Sequence, residues 1–193
     1  MIDRPALGRP RRVGGDGDPV VFAADEQSDV KLDVQGWVAL ARGVLADEGV
    51  RGHCELSLLF IDSSEMTRLN TEFMGVEGAT DVLAFPIDAP EVGFGPVPPR
   101  SGPDRALPDP ADEPLLLGDV VICPAVAAAN ASTHAGSVDD ELALLVVHGI
   151  LHVLGYDHAE PEETERMRVR ERELLEAHHW KGPAPTGFRQ QQD

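Results

Sequence analysis

Basic residues are scarce in this chain of 193 residues: 16 Lys and Arg stand against 34 Asp and Glu, a formal charge of −18. That balance excludes a polycation that coats nucleic acid by charge alone, and leaves any polyanion contact to a local patch. Cysteine is nearly absent. Cys54 and Cys123 are too few for a disulfide framework and lack CxxC spacing. Both read as small hydrophobes within strands, without a disulfide partner, in a reducing compartment. Long apolar runs are missing too, and none approaches the ~18–20 residues that span a bilayer, so no membrane partner is expected. The opening MIDRPALGRPRR is charged but leads into no apolar stretch, which argues against a secretory signal and for the cytoplasm.

What is present is globular. The hydrophobic fraction is 42%, and the length suits one domain able to bury a core. Residues 1–18 are rich in Gly, Pro and Arg and read as a flexible arm. Residues 88–114 hold eight prolines and read as a long surface insertion. Residues 181–193 read as a flexible tail. A single catalytic domain over 19–180 remains. Residues 116–159 contain no Lys or Arg, so a cation that meets an anionic substrate must come from elsewhere.

Within the domain, apolar runs at Val20–Ala23, Leu56–Ile61, Val82–Ile87 and Leu115–Cys123 predict strands, the last broken by Gly118 as by a bulge. Asp33 opens a helix whose inner face is Val34, Trp37, Val38, Ala41, Val44 and Leu45, closed near Gly49. Asp62 and Glu65 have capping-box spacing, and Met66, Leu69 and Phe73 follow at helical intervals. Ala125–Ala131 favours a helix by composition. Ser137 and Asp140 cap an apolar helix that runs to about Leu154. Pro161 opens a charged last helix with Met167, Leu174 and Leu175 inside. The order β-α-β-α-β-β-α-α-α predicts an α+β (or α/β) domain: a small mixed four-stranded sheet packed with about five helices.

The informative segment is HGILHVLGYDH, residues 148–158. His148 and His152 lie four apart, so their imidazoles leave one helix face and can share one ion. Gly155 can take positive φ, end the helix and turn His158 back toward the same point. Three neutral imidazoles with a fourth position open describe a catalytic zinc site more than a closed structural one. Two such histidines in an almost wholly apolar helix would be costly without a partner for each ring nitrogen. His53, His134, His178 and His179 read as a strand edge, a loop and a solvated helix end. The spacing is also that of metzincin proteases, H-E-x-x-H-x-x-G-x-x-H, but the general-base Glu is replaced by Gly149. Peptide hydrolysis thus lacks its proton acceptor, and the glycine leaves room beside the open position for a larger substrate.

HGILHVLGYDH resembles the signature H-G-x-L-H-L-x-G-Y-D-H of the YbeY family, bacterial rRNA maturation factors described as zinc-dependent single-strand endoribonucleases. Only Val153 departs from it. Two further blocks are similar: Leu69-Asn70 followed by Thr80–Pro86 (TDVLAFP), and Leu117–Ile122 (LGDVVI). The resemblance implies one Zn2+ in a cleft, held by His148, His152 and His158. It also implies work on small-subunit rRNA 3′ ends and in ribosome quality control, with ribosomal RNA and ribosomal particles or proteins as partners. Many members carry an Arg after the aromatic of the second block; here Phe73 is followed by Met74.

A zinc-bound water is the expected catalytic group. Asp157 and Asp81 are candidate helpers, Asp157 with the commoner role of orienting an imidazole. Tyr156 either bonds to the site or packs. Arg68 is the candidate substrate-binding cation, while the arginines from 166 to 172 read as an ion-paired helix face. Two other functions fit the same residues: a ribosome-assembly factor that binds without cutting, its zinc structural, and a metallohydrolase of another substrate.

Overall fold

The computed structural model describes residues 17–87, 114–156 and 160–190. The expected arm up to residue 16, the insertion over 88–113, and Asp157 and His158 lie outside the described residues.

The elements follow the expected order: β1 (Val20–Glu26), α1 (Val34–Asp47), β2 (Cys54–Ile61), α2 (Ser63–Leu69), β3 (Val82–Pro86), β4 (Leu115–Ile122), α3 (Pro124–Asn130), α4 (Val138–Val153) and α5 (Pro161–His178). The sheet order is β1-β2-β4-β3. β1, β2 and β4 run parallel, and β3 joins β4 antiparallel at the edge. The domain is therefore α+β with a mixed sheet.

Alternation along the strands sorts two apolar layers. Leu56, Leu58 and Phe60 of β2, with Val120 and Ile122 of β4, face the main core shared with α1, α4 and α5. Ile61, Leu83 and Val121 face a smaller cluster around Met66 of α2. α4 is apolar on nearly all sides because it lies inside. Leu142, Leu145, Ile150 and Leu151 are fully buried there, each contributing about 1.5–3 kcal/mol of burial. Its N-terminus is capped by Ser137, whose hydroxyl accepts from Asp140 N–H and donates to the Asp140 carboxylate at 2.7 Å.

The departures from the sequence reading are local. β1 continues to Glu26, past the apolar run, because its pairing with β2 continues to Ile61. The bulge falls beside Gly118: Glu55 pairs with Leu116 and Leu56 with Gly118, so Leu117 is the extra residue. Cys54 is buried in β2, but Cys123 sits past β4 as the N-cap of α3. Phe73 leaves the buried stripe of Met66. A π-helical turn over Asn70–Met74 follows α2 and widens the helix, which rotates Phe73 outward to 58% exposure. Residues 181–190, read from composition as tail, make contacts: Phe188 meets the Trp180 ring edge-on, and Gln190 bonds to α5.

Candidate metal centre

α4 brings His148 and His152 onto one face, and a turn after it completes the local frame. Leu154 caps the helix, and Gly155 takes φ +90°. The N–H of Gly155 bonds to His152 O, and that of Tyr156 to Leu151 O, each at 2.9 Å. This is a Schellman closure, in which glycine avoids the Cβ strain of the left-handed region. The reversal returns the Tyr156 carbonyl to the helix, where His152 Nδ1 donates to it at 3.1 Å. Tyr156 itself packs at the rim of the core, and its hydroxyl donates to Glu48 at 2.9 Å. Burial, then the adjacent Glu48 carboxylate, pushes the Tyr156 pKa up to about 12.

His148 Nδ1 donates to Glu171 Oε1 at 2.7 Å. With Nδ1 of both rings donating, each Nε2 carries a lone pair. The two Nε2 atoms lie 3.1 Å apart, with the ring planes at 77°. Two nitrogens bonded to one tetrahedral zinc stand about 3.3–3.4 Å apart for bonds of about 2.0–2.1 Å. The pair is within about 0.2–0.3 Å of the spacing for two ligands of one ion, and imidazole is a donor class such an ion takes. Among the described residues no cluster of three or more His, Cys, Asp or Glu is arranged to hold a metal. The expected third ligand, His158, and the expected orienting group, Asp157, lie outside them.

The histidines form one wall of a cavity of about 350 Å³. Val82, Leu83, Ala84 and Pro86 of β3 also line it, with Met74 from the π-helical turn. Asn70 is buried and places that turn by donating to Gly78 O at 2.9 Å, which ties down the loop that follows. Phe73, next in sequence to Met74, stays exposed and meets Phe85 edge-on at 5.2 Å; neither ring lines the cavity. No Lys or Arg lines the cavity among the described residues.

Gly149 has a different role from the one expected. It borders the cavity, but a Cβ there would stand 2.5 Å from Val120 Cγ1 and 3.4 Å from Val82 Cγ2. The missing side chain allows α4 to seat closely on the sheet; Val120 and Val82 occupy the space, not substrate.

The remaining candidates lie apart. Asp81 is buried, with Thr80 and Asn130 donating to its carboxylate at 3.4 and 3.3 Å. Its own carbonyl accepts from Cys123 N–H at 2.8 Å, so the residue ties β3 to the end of β4. Arg68 is on the exposed side of α2, bridging Glu65 at 2.6 Å and Glu72 at 2.7 Å. Arg170 joins helices: its guanidinium bonds to Glu48 at 2.6 Å and Glu173 at 2.8 Å. His134, His178 and His179 hydrogen-bond to Glu141, Asp47 and Asp140, so the two histidines at the helix end are held by side-chain partners. The residue missed from sequence is Glu171. It resembles every other glutamate of α5, and only burial and the partner 23 residues away distinguish it.

The family model for endoribonuclease YbeY matches residues 22–179. A relative from Salinispora tropica, named endoribonuclease YbeY, is 47% identical over 77% of this chain and 90% of its own length. One from Mycobacterium sp. strain KMS, of the same name, is 41% identical over 78% of each. The solution structure of TM1509 from Thermotoga maritima covers 84% of this chain and 92% of that one, with TM-score 0.48 and 20% identity. Among the described residues, no helix is long and apolar enough to cross a membrane. By the extent of the match and the identity to these relatives, the chain belongs to the endoribonuclease YbeY family.

Proposed function

We propose that the chain is a zinc-dependent single-strand endoribonuclease of rRNA maturation, with His148, His152 and His158 as the ligands of one Zn2+. The observation that carries this reading is the convergence of two Nε2 atoms, 3.1 Å apart, on a cavity walled by an apolar strand. Zinc bound there supplies a Lewis acid for a phosphoryl oxygen and lowers the pKa of a bound water. The chain's own residues hold the ring protons of both ligands: Glu171 on His148 and the Tyr156 carbonyl on His152. The apolar β3 wall lowers the local dielectric, which strengthens each charge interaction inside.

An acidic chain must bind a polyanion by something other than net charge. Phe73 supplies one such contact. Its ring is exposed, follows the chain one residue before the cavity-lining Met74, and is supported by Phe85, which suits an unstacked base of a single strand. Arg68 is held between two glutamates, which leaves it a minor part in substrate binding. Asp81 supports β3, and Asp157 keeps the part of orienting an imidazole. The ribosomal particle is the proposed setting, where partner proteins and magnesium offset the acidic surface.

The test is cleavage of a labelled single-stranded RNA by the full chain, with and without chelator, alongside zinc content. Cleavage that chelation abolishes while the fold survives supports a catalytic zinc. Zinc-loaded protein that binds RNA and never cuts it would favour the non-cutting assembly factor.

A further inference from the structure

We propose that Glu171 is a positioning residue of the metal centre, and that Gln190 locks it, so the C-terminal segment sets metal affinity. The inference rests on the reading of His148 as a metal ligand. Glu171 is 3% exposed on α5, among Met167, Leu174 and Leu175. A carboxylate so placed is costly unless both oxygens are engaged. Both are: Oε1 accepts from His148 Nδ1 at 2.7 Å, and Oε2 accepts from Gln190 Nε2 at 2.8 Å. Gln190 Nε2 also donates to Arg168 O at 2.6 Å. One amide nitrogen thus spans a side-chain acceptor and a main-chain acceptor, which fixes the amide orientation and the carboxylate with it.

The two ring supports are unequal. His152 leans on a neutral carbonyl four residues away, inside its own helix turn. His148 leans on an anion from a different helix. An anionic partner makes the opposite ring nitrogen a stronger donor and holds the ring plane, the role that carboxylates take behind metal-binding imidazoles. Among the described residues, the carboxylate on His148 Nδ1 arrives from α5, and its brace arrives from residue 190.

The experiment is zinc competition against a chromogenic chelator, using the full chain, together with the visible spectrum of the cobalt-substituted protein. Glu171→Gln keeps the size and an acceptor oxygen but removes the charge. It is expected to weaken zinc binding about 10–100-fold and to shift the cobalt bands. Gln190→Ala is expected to give a smaller loss, about 2–5-fold, in the same direction. It lies in an irregular segment, so it remains informative should Glu171→Gln fail to fold. Glu141→Gln, on the other buried His–Glu pair, should leave affinity and spectrum unchanged. Wild-type affinity and spectrum in Glu171→Gln would overturn the assignment of Glu171. Wild-type values in Gln190→Ala would overturn the role of the C-terminal segment. Absence of zinc binding by the wild-type chain would instead overturn the metal centre itself.

Discussion

Two histidines in this domain have nearly the same immediate surroundings and different roles. His134 and His148 both bond through Nδ1 to a buried glutamate, at 3.0 and 2.7 Å, and their side chains are 25% and 26% exposed. At His134 the second carboxylate oxygen of Glu141 accepts from Ala135 N–H at 3.1 Å, so the pair closes a loop onto α4. At His148 the far ring nitrogen meets a second imidazole at 3.1 Å, and both rings line the cavity. A buried His–carboxylate pair is therefore a structural clamp by default. Convergence of a second imidazole on Nε2 is what sets His148 apart and supports its proposed role as a metal ligand.

The sharpest way to break the comparison is to remove each ring. His148→Ala should abolish both bound zinc and RNA cleavage. His134→Ala should keep both and lower stability by about 1–3 kcal/mol, since Glu141 loses a partner. Metal content and cleavage of a labelled single strand separate the two. Next in size is Gly149→Ala, expected to cost about 1–3 kcal/mol in urea unfolding because the added methyl meets Val120. An unchanged midpoint would mean that α4 is free to lift from the sheet.

Phe73→Ala should weaken single-stranded RNA binding by about 1–3 kcal/mol, with Phe73→Trp restoring it. The salt dependence of binding should not change, because stacking releases no counterions. Tyr156→Phe sharpens the local frame. The raised Tyr156 pKa means that the neutral phenol is favoured when folded. That stability is complete below the unfolded value near 10 and is lost as pH rises through about 12. The phenylalanine variant should show a shallower loss of stability over that window. The smallest effect is expected at Arg68. Arg68→Glu should leave RNA cleavage within about twofold, since the side chain is exposed and already paired.

The elements were legible because their signals are local. Capping by Asp33, Asp62 and Ser137 appears where the spacing placed it. The inner stripe Met167, Leu174, Leu175 is buried as periodicity requires. The histidine pair was legible for the same reason: four residues of one helix bring both rings together whatever surrounds them. What escaped the sequence depends on distant partners. Glu171 is one glutamate among several on α5 until the fold sets it against His148. Gly149 invites a reading as space for substrate until Val120 is seen beneath it. Phe73 leaves its stripe because one widened turn changes the helical period, which residue types alone do not announce.

The most direct test is a crystal structure of the zinc-loaded chain with the ion located by anomalous scattering. One ion per chain, bound by Nε2 of His148 and His152 and by His158, is the expected result. An ion held elsewhere, with the two Nε2 atoms turned apart, would contradict it.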